Sequence, residues 1–360
     1  MRDILSDVQR WIDEQQPVAL ATVVQTWGSG PRGAGAKMAI TPAGGMAGSV
    51  SGGCIEGATF EAGVEALQAG RGKLIHYGIA DETAWEVGLA CGGSIDVFVQ
   101  PLDPAHAAAV AALVRAEAVY AVATLVKGSE HDLCAALVLD ESGAVVHGAL
   151  PAELAESGLA AARAALASGN SQRTALGETA ELFVEVAWPA PTLVVVGGVH
   201  TAITLTQLAR GIGYRTVVID PRKAFGNADR FPHVDRLITE WPDDALTALG
   251  VSRATAIALL THDPKLDDPG LLVALRSPAF YVGALGSKGT QEQRRARLLE
   301  AGVTEAQLAR LRGPIGLDLG GRTPEEIAVS ILADVVAARN GKTGRTAEAR
   351  PDQRATLTPA

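Results

Sequence analysis

The chain has 360 residues, of which 48% are apolar and 20% charged, a composition typical of a folded globular protein with about two domains. Its formal net charge of −9 disfavours binding to nucleic acid and to anionic membranes. No apolar run approaches the roughly 20 residues that a bilayer-spanning helix needs.

The N-terminal segment is predicted to be a surface helix. MRDILSDVQRWIDEQQ places Ile4, Val8 and Trp11 at helical spacing among acidic residues, unlike the basic and apolar pattern of a signal peptide. The cysteines Cys54, Cys91 and Cys134 are too few and too far apart for a disulfide scaffold or a CxxC zinc site. We therefore expect a cytoplasmic protein with free thiols.

Residues 1–187 contain two stretches that resemble copies of one α+β unit, 1–101 and 102–187. The parallel segments are ALATVVQ (19–25) with AVATLVK (121–127), MAITPAGGM (38–46) with LVLDESGAV (137–145), and ALQAG (66–70) with ALASG (165–169). Each stretch then ends in a strand, DVFVQ or ELFVE. Either the domain arose by duplication, or an Ala- and Val-rich composition mimics a repeat. If the duplication is real, segments present only in the first copy are candidates for function.

The first such segment, residues 28–35, packs four glycines around Arg32 in the sequence GSGPRGAG. Glycines allow close approach of the backbone to a ligand, and arginine binds phosphate through two parallel hydrogen bonds. The segment is either a phosphate or pterin site or a flexible hairpin loop with a solvated arginine. The candidate binding residues are Gly28, Ser29, Gly30 and Arg32.

The second segment, residues 48–57, leads into a helix whose buried stripe we expect at Phe60, Val64 and Leu67. Cys54 therefore lies near a helix N-terminus, where unpaired N–H groups and the macrodipole favour anions and thiolates. Cys54 is either a reactive thiol or a small buried apolar residue. The accompanying candidate binding residues are Ser51, Gly52 and Gly53.

The third segment, residues 88–93, supplies Cys91 just before a strand over residues 95–99. It resembles the second segment because it pairs a cysteine with two glycines, which makes Cys91 a second candidate thiol. Cys134 lacks such surroundings, and we expect it to be inert packing.

From Pro191 onward, short β-branched runs alternate with helical stretches, which predicts a Rossmann-like, doubly wound parallel sheet over residues 188–341. The first βα turn contains Gly197, Gly198 and His200, where dinucleotide-binding folds carry GxGxxG. Val199 stands in place of the second fingerprint glycine, so we expect its side chain to narrow the approach of a pyrophosphate. Asp220 ends the second strand, where it either binds a ribose or caps the next turn.

Two later strand ends point to the same crevice. His262 and Asp263 follow the strand ATAIALLT and form either a proton relay or a hydrogen-bonded pair within the loop. Gly286, Ser287 and Lys288 precede a helix, where they are suited to hold an anion.

The last helix is predicted to begin with a capping box at Thr323 to Glu326 and to run to about Arg339. Gly341 is expected to end this helix. The final residues, 342–360, have almost no apolar side chains, and we expect them to form a disordered tail.

Several long motifs, in this order, resemble the XdhC/CoxI family across nearly the whole chain. They are GSGPRGAGAKM, GSVSGGCIEG, GGVHTA with VIDPR, THDPKLD, YVGALGSKGT and PIGLDLGGRTPEEIAVSILADVVA. The valine at position 199 departs from the GAGHVA turn of many members. The resemblance implies an N-terminal XdhC/CoxI domain and a C-terminal Rossmann-like domain. It also implies a role in the maturation of xanthine dehydrogenase or carbon monoxide dehydrogenase-like enzymes, in which members bind the molybdenum cofactor (molybdopterin), protect its sulfurated form and transfer it to the apoenzyme.

On this hypothesis, Cys54 contacts the molybdenum through the cofactor or carries a persulfide, and the C-terminal domain holds NAD(P) or another nucleotide. The expected partners are a molybdenum hydroxylase apoenzyme and a cysteine desulfurase, and we expect a homo-oligomer. Two alternatives remain open. One is an NAD(P)-dependent oxidoreductase that uses Asp220 with His262 or His200, and the other is a non-catalytic interaction scaffold.

Overall fold

A computed structural model describes residues 1–30, 32–78 and 93–342. They form two compact units, of which the first is Met1–Pro189 and the second begins at Ala190. Cys91 and the predicted disordered tail beyond Lys342 lie outside the described residues. Among the helices of the described ranges, none is long and apolar enough to cross a membrane.

The first unit contains two successive sets of strands and helices. The first set consists of α1 (Leu5–Asp13), β1 (Ala19–Trp27), β2 (Lys37–Ile40), β3 (Met46–Gly48), α2 (Glu56–Ala69), β4 (Lys73–Tyr77) and β5 (Ser94–Pro101). The helix α3 (Pro104–Arg115) follows it. The second set consists of β6 (Tyr120–Lys127), β7 (Ala136–Leu139), β8 (Val145–Gly148), α4 (Ala152–Ser168), β9 (Gln172–Leu176) and β10 (Ala180–Ala187).

The two sets share one topology. Each forms an antiparallel five-stranded sheet, in the order β3-β2-β1-β5-β4 and β8-β7-β6-β10-β9. A register shift falls at Val24, where β1 pairs with β5, and another at Val126, where β6 pairs with β10. A bulge is a specific feature of a strand pair, so its recurrence at matching positions supports the duplication.

The connections differ between the two sets where function is expected. Residues 49–55 join β3 to α2, whereas only residues 149–151 join β8 to α4. Residues 78–93 join β4 to β5, whereas residues 177–179 join β9 to β10. Residues 28–36 join β1 to β2, and a loop of similar length, residues 128–135, joins β6 to β7. The segment 28–35 therefore has a counterpart in position, but this counterpart lacks its glycine pattern.

The first unit is layered, with helix α2 on one sheet, helix α4 on the other and the remaining sheet faces against each other. Apolar residues from both sheets meet in the middle, namely Val24, Phe98, Val126 and Phe183. The buried face of α2 is formed by Thr59, Ala62, Gly63 and Ala66. The predicted stripe of Phe60, Val64 and Leu67 is only half-buried. Small side chains let the helix lie close to the sheet, so the larger ones pack at its sides.

The second unit confirms the predicted Rossmann-like fold. Its strands are β11 (Thr192–Val196), β12 (Arg215–Ile219), β13 (Arg236–Ile238), β14 (Thr255–Leu259), β15 (Tyr281–Ala284) and β16 (Leu311–Arg312). Its helices are α5 (His200–Gly211), α6 (Pro242–Leu249), α7 (Pro264–Arg276), α8 (Lys288–Glu300), α9 (Glu305–Leu308) and α10 (Pro324–Arg339). All strand pairs are parallel, in the order β13-β12-β11-β14-β15-β16.

Helices cover both faces of this parallel sheet. Residues of α6, α7 and α8 pack on one face, and residues of α5 and α10 pack on the other. The predicted capping box of α10 is present, with Thr323 and Glu326 each bonded to the backbone of the other. Because the strand order reverses between β11 and β14, a crevice opens at the carboxyl ends of these two strands, the usual ligand position in such sheets.

Candidate functional site

The loop that carries Cys54 is wrapped around the carboxylate of Glu56, the first residue of α2. The donors to this carboxylate are Ser49 Oγ (2.6 Å), Ser51 Oγ (2.5 Å) and the backbone N–H groups of Ser51 (2.9 Å), Gly52 (2.9 Å) and Gly53 (2.8 Å). Gly52 and Gly53 adopt φ values of 83° and 128°, which side-chain-bearing residues rarely reach. The successive N–H groups can therefore converge on one anion.

This anion belongs to the protein itself. Burial opposes the ionisation of Glu56, but the hydrogen bonds from Ser49, Ser51 and Gly53 outweigh it and lower the pKa of Glu56 to about 2. The N–H groups of Ser51, Gly52 and Gly53, which were expected to face a bound anion, are committed to this carboxylate. Their hydrogen bonds tie the loop to the first residue of α2.

Cys54 is exposed on this loop and precedes Ile55, the N-cap of α2. Its backbone N–H donates to Ser51 Oγ over 3.1 Å, which ties the cysteine to the same network. Cys134, by contrast, is half-buried beside Phe98, and burial raises the pKa of its thiol. Of the two described cysteines, Cys54 is the one that a bound group can reach.

Gly93, the one described residue of the third glycine-rich segment, meets the first segment at a corner of the first sheet, where β1 ends and β5 begins. A Cβ atom built on Gly93 would lie 2.5 Å from the backbone N of Gly30 and 2.9 Å from the carbonyl O of Trp27. Trp27, Ser29 and Gly30 therefore lie directly against Gly93. Arg32 takes another direction, and its guanidinium lies 4.0 Å from Asp3 with both side chains exposed.

The same corner contains a charged network that the sequence analysis missed. Nδ1 of His76 lies 2.7 Å from Asp96, and Arg173 of the second set contacts the other oxygen of Asp96 at 2.5 Å. Arg173 also contacts Glu181 at 2.6 Å, and Glu181 contacts Lys127 at 2.9 Å. In the sequence, the sign of this network was that β4 carries His76 where β9 carries Ala175. The two positions can be matched only once the pairing of each strand with its neighbour is known.

A cavity of about 30 Å³ lies between the two sheets. It contains a buried ion pair between Lys37 and Glu185, whose charged atoms are 2.7 Å apart. Its volume suits about one water molecule, far below the several hundred Å³ of a typical cofactor pocket. This cavity is therefore too small to hold a cofactor.

In the second unit, the predicted crevice residues gather at the carboxyl ends of the strands. Gly197 and Gly198 follow β11, Asp220 follows β12, and Gly286 follows β15. Thr261, after β14, lies against Gly197, because a Cβ built on this glycine would be 2.6 Å from Thr261 Cγ2. The fold thus brings these segments together, as expected for a crevice at the switch point.

Asp220 is fully buried, and its oxygens are occupied by neighbouring groups. The backbone N–H of Gly198 donates to Asp220 over 2.8 Å, and the Arg222 guanidinium donates to both oxygens over 2.9 and 2.7 Å. Burial opposes ionisation, but these bonds lower the pKa of Asp220. A ribose can contact Asp220 only if it displaces Arg222.

Residues 222–230 form a strap over the first βα turn. Arg230 donates to the carbonyl O of Gly198 over 2.6 Å, and the Phe225 carbonyl O lies 2.5 Å from a Cβ built on Gly198. Arg222 stacks over the Phe225 ring at 4.2 Å. Val199 instead packs against the hydrophobic cluster under α5. Because the strap already covers this turn, we expect the strap, rather than the Val199 side chain, to narrow the approach of a ligand.

The remaining candidates of this unit lie at helix starts. His200 is exposed, and its Nε2 lies 3.3 Å from Glu325 of α10. Asp263 accepts from the Lys265 N–H over 3.0 Å and so caps α7, whereas His262 is exposed with φ 61°. Ser287 caps α8, and Lys288 is exposed beside it. Within residues 1–30, 32–78 and 93–342, no group of three or more His, Cys, Asp or Glu side chains could hold a metal ion.

Two family profiles match this sequence. The profile described as the XdhC Rossmann domain matches residues 193–335, and the profile of the XdhC and CoxI family matches residues 11–78. Together the matches cover more than half of the chain. The chain belongs to the XdhC/CoxI family. The N-terminal match includes the 28–35 segment and the Cys54 loop, both of which lie in the first copy of the XdhC/CoxI domain.

Similar proteins extend over most of the chain. A protein of Bacillus subtilis described as a probable xanthine dehydrogenase subunit is 27% identical, over 91% of this chain and 95% of its own length. The molybdenum cofactor insertion chaperone PaoD of Escherichia coli is 27% identical, over 89% of this chain and 83% of its own. The solved structure of a xanthine dehydrogenase from Bacillus halodurans has a TM-score of 0.71 at 22% identity and covers 95% of this chain and 98% of that one, which shows a shared fold.

Proposed function

We propose that this XdhC/CoxI protein binds the molybdenum cofactor and assists its sulfuration or its insertion into a xanthine dehydrogenase or carbon monoxide dehydrogenase-like hydroxylase. The similarity to an insertion chaperone over most of both chains supports a role in maturation. The observation that carries the residue assignment is an exposed thiol, Cys54, on a loop fixed by the Glu56 carboxylate. The second copy has no such loop.

The residues at hand suit a pterin-bound metal in two respects. Cys54 offers a soft sulfur ligand, which matches a molybdenum or persulfide contact. The loop of Gly28, Ser29 and Gly30 offers backbone groups for the phosphate end, and Arg32 lies two residues further along the chain. When bound, the cofactor supplies a molybdenum atom and a pterin ring, and the role of the chain is to hold both and to limit contact with water.

The test is anaerobic purification of the full chain from cells that make the cofactor, with molybdenum measured by mass spectrometry and pterin by fluorescence after oxidation. We expect both to copurify, and we expect the purified protein to accelerate activation of an apo-hydroxylase. Cys54→Ser should purify without molybdenum and should not accelerate activation of the apo-hydroxylase, whereas Cys134→Ser should behave as the wild type in both measurements. Absence of both cofactor and acceleration in the wild type contradicts the proposal.

We also propose that a cysteine desulfurase donates sulfur to this protein, with Cys54 as the acceptor of the persulfide. Incubation with a desulfurase and radiolabelled cysteine tests this. Label that survives non-reducing electrophoresis in the wild type and is absent in Cys54→Ser supports a persulfide. Equal labelling of both proteins contradicts it.

For the Rossmann-like unit, we propose a nucleotide site in the crevice that becomes available when the strap of residues 222–230 moves. The strand order and the clustered strand ends favour this position. Turnover of NAD(P)H by the purified protein would instead favour the oxidoreductase alternative.

A further inference from the structure

The imidazole of His76 has a defined tautomer. Nδ1 lies 2.7 Å from an oxygen of Asp96, and a carboxylate can only accept a hydrogen bond. Nδ1 therefore carries the proton, and in the neutral ring Nε2 is an acceptor. The side chain of His76 is 58% exposed, so this acceptor is accessible from solvent.

Asp96 is a buried carboxylate with a partner on each oxygen. Its side chain is 11% exposed, with His76 on one oxygen and Arg173 on the other. Arg173 is itself fixed by Glu181. The second copy of the domain thus supplies the cation that offsets the cost of burying this carboxylate, and the carboxylate in turn orients His76.

An aromatic side chain stands beside this histidine. The ring centroids of Trp27 and His76 are 5.8 Å apart with an interplanar angle of 59°. Trp27 is 45% exposed, which is high for an indole at the end of a sheet strand. The two side chains present an aromatic face and a hydrogen-bond acceptor to the same region of solvent.

Both groups are absent from the second copy. The pairing of His76 with Asp96 across β4 and β5 corresponds to that of Ala175 with Glu181 across β9 and β10. In the parallel segments of the two copies, Trp27 corresponds to Ser129. The acid recurs, whereas the histidine and the tryptophan do not, so stability of the shared fold does not require them.

Among the described residues, two glycines lie close to this pair, Gly78 beside His76 and Gly93 beside Trp27. The carbonyl of Trp27 lies against Gly93, which excludes any side chain there. A Cβ built on Gly78 would lie 3.0 Å from Nε2 of His76, so a side chain at this position would crowd the nitrogen. The glycine loop of residues 28–30 adjoins the same corner. A flat ligand can therefore approach closely.

We propose that Trp27 binds the face and His76 the edge of an aromatic heterocycle that carries N–H donors, namely the pterin ring of the cofactor. The ring stacks on Trp27 and donates from its amino or ring N–H to His76 Nε2. Asp96 and Arg173 are positioning residues, because Asp96 holds the imidazole through Nδ1 and so makes Nε2 the acceptor of the neutral ring. This inference rests on the proposed function, because pterin is the heterocycle which that function supplies.

The experiment compares variants of the full chain in two measurements. One is the pterin retained after anaerobic purification, and the other is titration with free pterin and with cytidine monophosphate, followed by tryptophan fluorescence. We expect Trp27→Ala and His76→Leu each to weaken pterin binding about tenfold, in line with the loss of one stacking or specific polar contact. His76→Gln, whose amide oxygen can accept, should recover part of this loss.

Asp96→Asn tests the tautomer. The amide of the new asparagine can donate to Nδ1, which makes Nε2 the protonated nitrogen. Nε2 and the N–H of the ligand are then both donors, so pterin binding should weaken as in His76→Leu. The matched controls are Trp241→Ala and His131→Gln, which change exposed residues outside the corner and should bind pterin as the wild type does. Thermal denaturation checks that each variant is folded.

The outcomes separate the two proposals. If the wild type retains or binds pterin and the Trp27 and His76 variants do so equally well, the corner is not the pterin site, while the proposed function stands. If cytidine monophosphate rather than pterin is lost in these variants, the corner binds a nucleobase and the inference is overturned. If the wild type neither retains nor binds pterin, the proposed function fails and this site fails with it.

Discussion

The ammonium group of Lys37 lies 2.7 Å from the Glu185 carboxylate in the space between the two sheets of the first unit. The side chains are only 6% and 14% exposed, so each charge depends on the other to offset its loss of hydration. The pair joins β2 of the first copy to β10 of the second.

Lys37→Met should therefore lower the free energy of unfolding by about 3–5 kcal/mol, because it leaves Glu185 charged and buried. The double variant Lys37→Met with Glu185→Leu should recover most of this loss. Urea unfolding followed by circular dichroism measures both. As a control, Lys73→Met removes an exposed pair with Glu65 and should cost less than about 1 kcal/mol. Equal effects of the two lysine substitutions would contradict this account.

Glu56→Gln should loosen the loop that carries Cys54. The amide cannot accept on both atoms from the hydroxyl and N–H donors that surround the carboxylate. Because the pKa of Glu56 is about 2 in the folded chain against an ordinary value of 4.5, its carboxylate contributes stability above pH 4.5. This contribution is lost as the pH falls from 4.5 towards 2.

The measurement is the melting temperature of both proteins across that pH range. The difference between wild type and Glu56→Gln should be constant above pH 5 and should shrink towards pH 2. Glu65→Gln, on the exposed side of the same helix, is the matched control and should show no such convergence. A difference that stays unchanged down to pH 2 would show that Glu56 does not hold the loop as an anion.

Cys54 should be the faster of the two described thiols in alkylation by iodoacetamide at neutral pH. It is exposed, whereas Cys134 is half-buried between the sheets and burial raises the pKa of its thiol. Peptide mass spectrometry of briefly labelled wild type, Cys54→Ser and Cys91→Ser locates the modified residues. If Cys54→Ser alkylates as fast as the wild type and retains its cofactor, Cys54 is structural and Cys91 becomes the candidate.

Arg230→Ala should raise the affinity of the second unit for nucleotides. Its guanidinium donates to the carbonyl oxygen of Gly198 in the first βα turn and to that of Phe225 within the strap, and so ties the strap to the turn. Calorimetry with NAD and with cytidine nucleotides measures the change. Val199→Gly is the informative comparison, since this side chain packs into the core and its loss should reduce stability without tightening binding. If only Val199→Gly gains affinity for nucleotides, the valine side chain and not the strap limits nucleotide binding.

Local pattern was sufficient to predict much of the fold. The alternation of β-branched runs and helical stretches after Pro191 predicted the parallel sheet, because both periodicities are set by neighbouring residues. The capping box at Thr323 and Glu326 was equally accessible, since its two partners are three residues apart. The weak repeat of residues 1–187 predicted related halves, and the matching sheet orders and bulges support it.

The pattern was less informative where a side chain has several available partners. Ser51, Gly52 and Gly53 were expected to receive an external anion, but Glu56 lies close enough along the chain to occupy their N–H groups. Asp220 was expected either to bind a ribose or to cap the next turn, and it accepts from the backbone N–H and the guanidinium of Arg222, two residues further on. In each case a charged side chain nearby in the chain occupies the group that was assigned to a ligand.

By itself, the sequence determined the two domain types and the family. Only the tertiary structure decided which distant residues meet, because the contacts of His76 with Asp96, of Asp96 with Arg173 and of Lys37 with Glu185 cross strands or copies of the domain. The reason is physical. Backbone periodicity follows from residues a few positions apart, whereas the cost of burying a charge is offset by any partner that the fold brings within hydrogen-bond distance, however far away it lies in the chain.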